Sequence, residues 1–145
     1  MSRLIDSFHR RMDYLRVSVT DRCDLRCTYC MPKGFKGFEE PEHWLRHDEM
    51  ARLVGLFVSQ GVSKVRLTGG EPLLRRGVTD LARQLTSMSG LHDLSVSSNG
   101  TQLAHLAGPL KEAGVHRLNI SLDSLDPACF ARITGRDCLT DVLQG

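Results

Sequence analysis

Four short segments of this chain alternate apolar and polar residues with a period of two, and helical stretches separate them, a combination that few folds accommodate. In the first segment Leu15, Val17 and Val19 share one face while Arg16, Ser18 and Thr20 share the other. The second sets Val65 and Leu67 against Arg66 and Thr68, and the third sets Leu94 and Val96 against Ser95 and Ser97. The fourth sets Leu118, Ile120 and Leu122 against Arg117, Asn119, Ser121 and Asp123. A parallel sheet covered on both sides should be apolar on both faces. An ordinary eight-stranded barrel fills its interior with branched side chains. Neither fits four strands with one polar face each. A curved sheet fits, with helices on its outer face and a wet, ligand-filled lumen inside. The long connections disfavour an antiparallel sheet with one solvent face.

Strands are expected over residues 14–20, 62–68, 94–98 and 117–123, and helices over 47–60, 78–88, 102–113 and from 127 to 133. Met50, Leu53, Val54, Phe57 and Val58 mark the apolar face of the first helix, and Gly61 stops it. Pro109 should kink or break the third helix. Regular alternation of strand and helix implies right-handed crossovers and a parallel sheet.

In such folds the chemistry gathers at the C-terminal ends of the strands. Here those ends carry Gly69-Gly70-Glu71-Pro72, Ser97-Ser98-Asn99-Gly100, Ser121-Leu122-Asp123-Ser124 and, after the first strand, Cys23-Asp24-Leu25-Arg26-Cys27-Thr28-Tyr29-Cys30. The C-x3-C-x2-C spacing supplies three thiolates to one point. A structural zinc site normally takes four ligands, and an ordinary ferredoxin-type cluster takes four cysteines. Three sulfurs can hold three irons of a 4Fe-4S cluster and leave the fourth iron open for chemistry. Two other readings stand beside this one. The spacing would also place three small apolar residues on one helix face, although Arg22, Asp24 and Arg26 crowd the segment with charge and Pro32, Gly34 and Gly37 follow closely. A zinc site could be completed by His9, His43 or His47. Arg16 and Arg66, on the inner face, are candidates for clamping an anionic group, because a guanidinium is planar, always charged and bidentate.

Composition narrows the alternatives. Five cysteines is an odd count and no apolar signal segment opens the chain, so disulfides are disfavoured and a reducing, cytoplasmic compartment is expected. No apolar run is long enough to span a bilayer. Residues 1–36 hold eight basic side chains against four acidic ones, which suits an anionic small ligand. With one Trp, two Tyr and no basic tract interleaved with aromatics, a nucleic-acid surface is not expected.

The run from Asp13 to Cys23, leading into Cys27, Tyr29, Cys30, Met31 and Pro32, resembles the radical S-adenosylmethionine (SAM) superfamily, and within it the GTP 3′,8-cyclases of molybdenum cofactor biosynthesis. The segments Arg66 to Arg75, Ser98-Asn99-Gly100, Asn119 to Asp123 and Arg132 to Arg136 follow in that family's order. The resemblance implies an α/β fold, a parallel partial TIM-type (βα) barrel of which this chain would supply about four βα units. It implies that Cys23, Cys27 and Cys30 ligate a 4Fe-4S cluster, and that Tyr29, Gly70 and Ser121 contact SAM. Arg16, Arg66 and Ser97 would contact GTP, Ser97 standing where related sequences often carry Thr. The implied chemistry is reductive cleavage of SAM to a 5′-deoxyadenosyl radical, which takes hydrogen from C3′ of GTP. A flavodoxin- or ferredoxin-type protein would supply the electron.

Residues 1–145 are expected to be the N-terminal part of the radical SAM core, a fragment without the family's C-terminal second-cluster domain, and so with an incomplete GTP site. Cys129 and Cys138 are expected to be bystanders. The fourth strand would then present an unpaired edge open to aggregation or to another chain, a homodimer included. Two further function classes are a radical SAM reaction on a peptide or other small molecule, and a non-catalytic iron–sulfur or zinc module.

Overall fold

The computed structural model describes residues 4–31, 34–35, 37–38 and 44–145. Pro32 and His43, invoked above, lie outside the described residues, as do Arg3, Lys33 and Lys36 of the basic N-terminal run. Strands β1 (Tyr14–Ser18), β2 (Lys64–Thr68), β3 (Asp93–Ser98) and β4 (Arg117–Ile120) form one sheet in the order β1-β2-β3-β4. Every neighbouring pair is parallel. Helices α1 (His47–Ser59), α2 (Val78–Thr86) and α3 (Leu103–Glu112) make the three crossovers, and α4 (Pro127–Thr134) and α5 (Leu139–Gln144) follow β4. The architecture is therefore that of an open, partial α/β barrel.

The period-two pattern sorts the two central strands as expected, whereas β4 is exposed along its whole length, Leu118 and Ile120 included, because it is an edge strand with no further strand beside it among the described residues. Val65, Leu67, Leu94 and Val96 are buried on the outer face with Met50, Ala51 and Val54 of α1, Leu81, Ala82 and Leu85 of α2, and Leu103 and Leu110 of α3. On the inner face the register aligns Arg16 with Arg66, Arg66 with Ser95, and Ser95 with Arg117. Ser95 departs from the expected wet surface: it is buried, its hydroxyl donates to the Val65 carbonyl at 3.4 Å, and the Arg66 Nε–H donates to it at 3.4 Å. A long guanidinium laid over a short hydroxyl removes that hydroxyl from water.

Two other expectations change. The buried stripe of α1 is Met50, Ala51 and Val54, with Val58 packed against the core, whereas Leu53 and Phe57 are exposed. The helix covers an edge strand, so one flank of its apolar arc stays exposed among the described residues. Pro109 does not break α3, which runs unbroken through it to Glu112. Only one intrahelical N–H is lost to proline, both His105 and Pro109 sit on the exposed side, and the Pro109 carbonyl still accepts from the Ala113 N–H at 2.9 Å. Cys138, outside the cysteine triad, serves the packing instead. It is buried with Leu25, Phe130, Leu139 and Val142 in a second small core, against which Cys23 and Cys27 pack.

Candidate active site

The cysteine segment is a loop, not a helix, which removes the helix-face reading of its spacing. It leaves the C-terminal end of β1 and is pinned on three sides. Its backbone is bonded to the end of α4, with the Arg26 N–H donating to the Thr134 carbonyl at 2.8 Å and the Thr28 N–H to the Ile133 carbonyl at 2.9 Å. The Arg26 guanidinium turns back to the Cys23 carbonyl at 2.6 Å and the Leu25 carbonyl at 2.9 Å. Leu25 anchors the loop from below in the second core.

The double glycine presses on the same loop. The Gly70 N–H donates to the Thr20 carbonyl at 2.8 Å and the Glu71 N–H to the Arg22 carbonyl at 2.7 Å. A Cβ on Gly69 would stand 2.2 Å from the Thr20 oxygen, and one on Gly70 would stand 2.3 Å from the Arg22 oxygen. Glycine is required at both positions because backbone lies against backbone, and at Gly69 also because φ is +152°.

Glu71 is the residue that the pattern most nearly hid. It is 1% exposed, and its carboxylate accepts from the Leu73 N–H at 3.0 Å, the Ser98 hydroxyl at 2.9 Å and the Asn99 N–H at 2.6 Å. Burial pushes its carboxyl above the usual value of 4.5, and the three hydrogen bonds only partly oppose that. An acid between glycine and proline is the sequence signal that could have singled it out. Asp24 performs a similar task one layer up, accepting from Asn99 Nδ2 at 2.8 Å, the Thr101 hydroxyl at 2.7 Å and Arg136 at 3.2 Å. Nothing in local sequence pairs residues so far apart.

These ties gather the candidate residues. Arg16, Cys23, Cys27, Tyr29, Cys30, Gly70, Ser97 and Ser121 all line one cavity of about 290 Å³. The three cysteines and Gly70 also line an adjoining, more apolar cavity of about 440 Å³ with Met31, Phe35 and Phe38. Arg66 is the exception. It is the register neighbour of Arg16 but lies outside the smaller cavity's lining, engaged with Ser95 and set 5.7 Å from the Tyr14 ring centroid. Tyr29 is held by its hydroxyl, which donates to Asp123 Oδ2 at 2.8 Å. Although the residue is largely exposed, desolvation at the hydroxyl and the hydrogen bond it donates to Asp123 push its phenol up, so it stays a protonated donor near neutral pH.

A family model for the radical SAM superfamily matches residues 17–145. The chain belongs to the radical SAM superfamily. Among similar curated proteins are the GTP 3′,8-cyclases of Erythrobacter litoralis, 53% identical over 99% of this chain, and of Lactiplantibacillus plantarum, 48% identical over its whole length. The enzyme of the same name from Pseudomonas entomophila is 49% identical over 98% of the chain. The chain spans 42–44% of the length of these relatives. Among solved structures, Streptococcus suis SuiB, in a crystal structure with its precursor peptide SuiA, superposes on 85% of this chain and 27% of its own with a TM-score of 0.63 at 19% identity. That likeness concerns the fold.

Members of this superfamily hold a 4Fe-4S cluster and SAM, and the thiols here suit a cluster. All three are free and face shared cavities, and sulfur is the donor of choice for iron–sulfur clusters. On a single zinc ion, thiolates with Zn–S bonds of about 2.3 Å would stand roughly 3.8 Å apart. Among the described residues, no three His, Cys, Asp or Glu side chains converge that way. Nor do the described histidines approach. His47 accepts from Arg75 Nε at 3.4 Å, and His9 is exposed in a turn beside the Ile5–Arg11 bridge that precedes β1, at the opposite end of the sheet. Burial raises the Cys23 and Cys27 thiols above their ordinary value, so only a bound cation would keep them as thiolates near neutral pH.

Proposed function

We propose that this chain forms the cluster- and SAM-binding part of a GTP 3′,8-cyclase, a lyase acting in molybdenum cofactor biosynthesis. The observation that carries this is a coincidence of two kinds. Relatives of that name are 48–53% identical over 98–100% of the chain, and a register-paired Arg16 and Arg66 lie on the same sheet face that opens toward the three thiols.

In this assignment Cys23, Cys27 and Cys30 would hold the cluster through their three thiolates. Tyr29, fixed by Asp123, would flank SAM, to which Gly70 would offer backbone and Ser121 a hydroxyl across the same cavity. When bound, cluster and SAM together supply one-electron cleavage of a carbon–sulfur bond and, through it, hydrogen abstraction at C3′ of GTP. The protein's own work is placement. Arg16 and Arg66 bind the triphosphate by charge-assisted hydrogen bonds, and Ser97, aligned with Asn119, presents a hydroxyl one step closer to the rim. The aromatic wall of Phe35 and Phe38, with centroids 4.8 Å apart, helps keep water from the thiols. GTP as substrate, a flavodoxin- or ferredoxin-type donor and a cytoplasmic setting accompany this reading. No helix among the described residues is long and apolar enough to cross a membrane.

The test is anaerobic reconstitution with iron and sulfide, then reduction and electron paramagnetic resonance with and without SAM. A 4Fe-4S signal that changes on SAM addition is expected, and a cluster indifferent to SAM overturns the assignment. For the substrate, Arg16→Ala should weaken GTP binding roughly tenfold or more, as loss of one hydrogen bond to a charged group implies, while leaving the SAM-dependent signal intact. Equal GTP affinity would remove GTP from the proposal and leave the radical SAM site standing.

A further inference from the structure

Cys23 differs from its two companions in what surrounds its sulfur. The Leu25 N–H donates to Cys23 Sγ at 3.5 Å, and Asn99 Nδ2 lies 3.8 Å from the same atom. The amide of Asn99 has a determined orientation, because its Oδ1 accepts at 3.0 Å from the Thr101 backbone N–H, a group that can only donate. Its NH2 must therefore face the other way, and the two hydrogens match two acceptors: Asp24 Oδ1 at 2.8 Å and the Cys23 sulfur. Asp24 is itself locked by the Thr101 hydroxyl at 2.7 Å and by Arg136 at 3.2 Å. The Asn99 backbone is locked from below by Glu71 at 2.6 Å. A residue held by Thr101, Asp24 and Glu71 presents its amide as a fixed dipole aimed at one sulfur.

We propose that Asn99 is a positioning residue for the Cys23 corner of the cluster, its Nδ2–H donating to the ligating sulfur so that this corner carries two hydrogen bonds. Partners of this kind orient metal ligands and tune the metal, and hydrogen bonds to cluster sulfurs are among the determinants of reduction potential. The reduced cluster carries one more negative charge than the oxidised one, so a donor aimed at its sulfur favours reduction and raises the potential. That is the form from which an electron must leave for SAM. The inference rests on the three cysteines holding a cluster.

The test is a potentiometric titration of the reconstituted chain without SAM, followed by electron paramagnetic resonance, for wild type, Asn99→Asp and Asn99→Ala. The expected result is a midpoint displaced to more negative potential in Asn99→Ala, which loses the donor. In Asn99→Asp the displacement is larger, because a carboxylate replaces the donor beside sulfur. Midpoints equal to wild type in both overturn the proposal while leaving the cluster assignment intact. A wild-type chain that assembles no 4Fe-4S cluster overturns both. If neither variant retains a cluster, thermal melts of the apo-proteins decide. Melts matching wild type assign Asn99 the same support of the cluster, whereas melts lowered together with cluster loss reduce it to an ordinary loop stabiliser and overturn the proposal.

Discussion

The outer face of the sheet and the rim above it are held together by different physics. On the outer face, branched and aliphatic side chains from β2, β3 and three helices exclude water over a broad area, and no single contact there is indispensable to the arrangement. At the rim, two buried or half-buried carboxylates, Glu71 and Asp24, each gather three donors from segments far apart in sequence. A core built of many small dispersive contacts responds to damage in proportion to the volume removed. A rim built of a few directional bonds responds by losing its geometry. Stability and active-site shape are thus separable properties of this chain.

The largest loss of stability is expected on the outer face. Leu67 is 0% exposed on a central strand, and Leu67→Ala should cost about 2–5 kcal/mol in denaturant unfolding. Once stabilised by low temperature, the variant should still load a cluster. A cost under about 1 kcal/mol would mean that this face is not close-packed. Gly70→Ala should cost less, about 1–3 kcal/mol, yet abolish cluster loading, since its new methyl group would meet carbonyl oxygens of both Asp21 and Arg22 at 2.4 and 2.3 Å. Normal loading in that variant would break the distinction between core and rim.

Glu71→Gln sharpens it further. The substitution keeps size but replaces one accepting oxygen with a donor, leaving a buried N–H without a partner, at about 1–2 kcal/mol. The smallest effect is its pH dependence. Burial raises the Glu71 carboxyl in the folded chain, so the stability this group contributes is complete below its unfolded value of 4.5 and is lost as pH rises through the folded value. The difference in melting temperature between wild type and Glu71→Gln should therefore narrow as pH rises above about 4.5. A difference that widens over that range would show Glu71 to be favoured as an anion.

Much of the outer face was legible because burial is written in periodicity. Alternation within the expected strands 62–68 and 94–98 announces both strands and the side each buries, whereas in β4 the same alternation marks apolar residues that stay exposed, and the co-location of four unusual loops follows from topology alone. The helix bounds were read to within a few residues, but α5 was missed, since six residues of Leu-Thr-Asp-Val-Leu-Gln offer too short a period to detect. The site was legible as a list of residues and not as a structure. Gly70 was expected to serve ligand approach, and its tightest demand proves to be the neighbouring loop's backbone. Likewise, Asp24, Asn99, Thr101 and Arg136 are ordinary polar residues in sequence. Their partnership arises only when β3 and α4 bring distant segments over the cysteine loop, and pairing at that range leaves no local trace.

That range has a temporal side. Asp24 and Arg136 are separated by 112 positions, and the cysteine loop is further fastened to carbonyls at 133 and 134. At roughly 5–20 residues synthesised per second, the ribosome delivers the loop about 6–22 seconds before its last fastening. Throughout that interval three adjacent thiols travel without the enclosure that later selects their occupant. Enclosure of the cysteine loop therefore waits on the synthesis of residues 133–136, which lie far downstream of it.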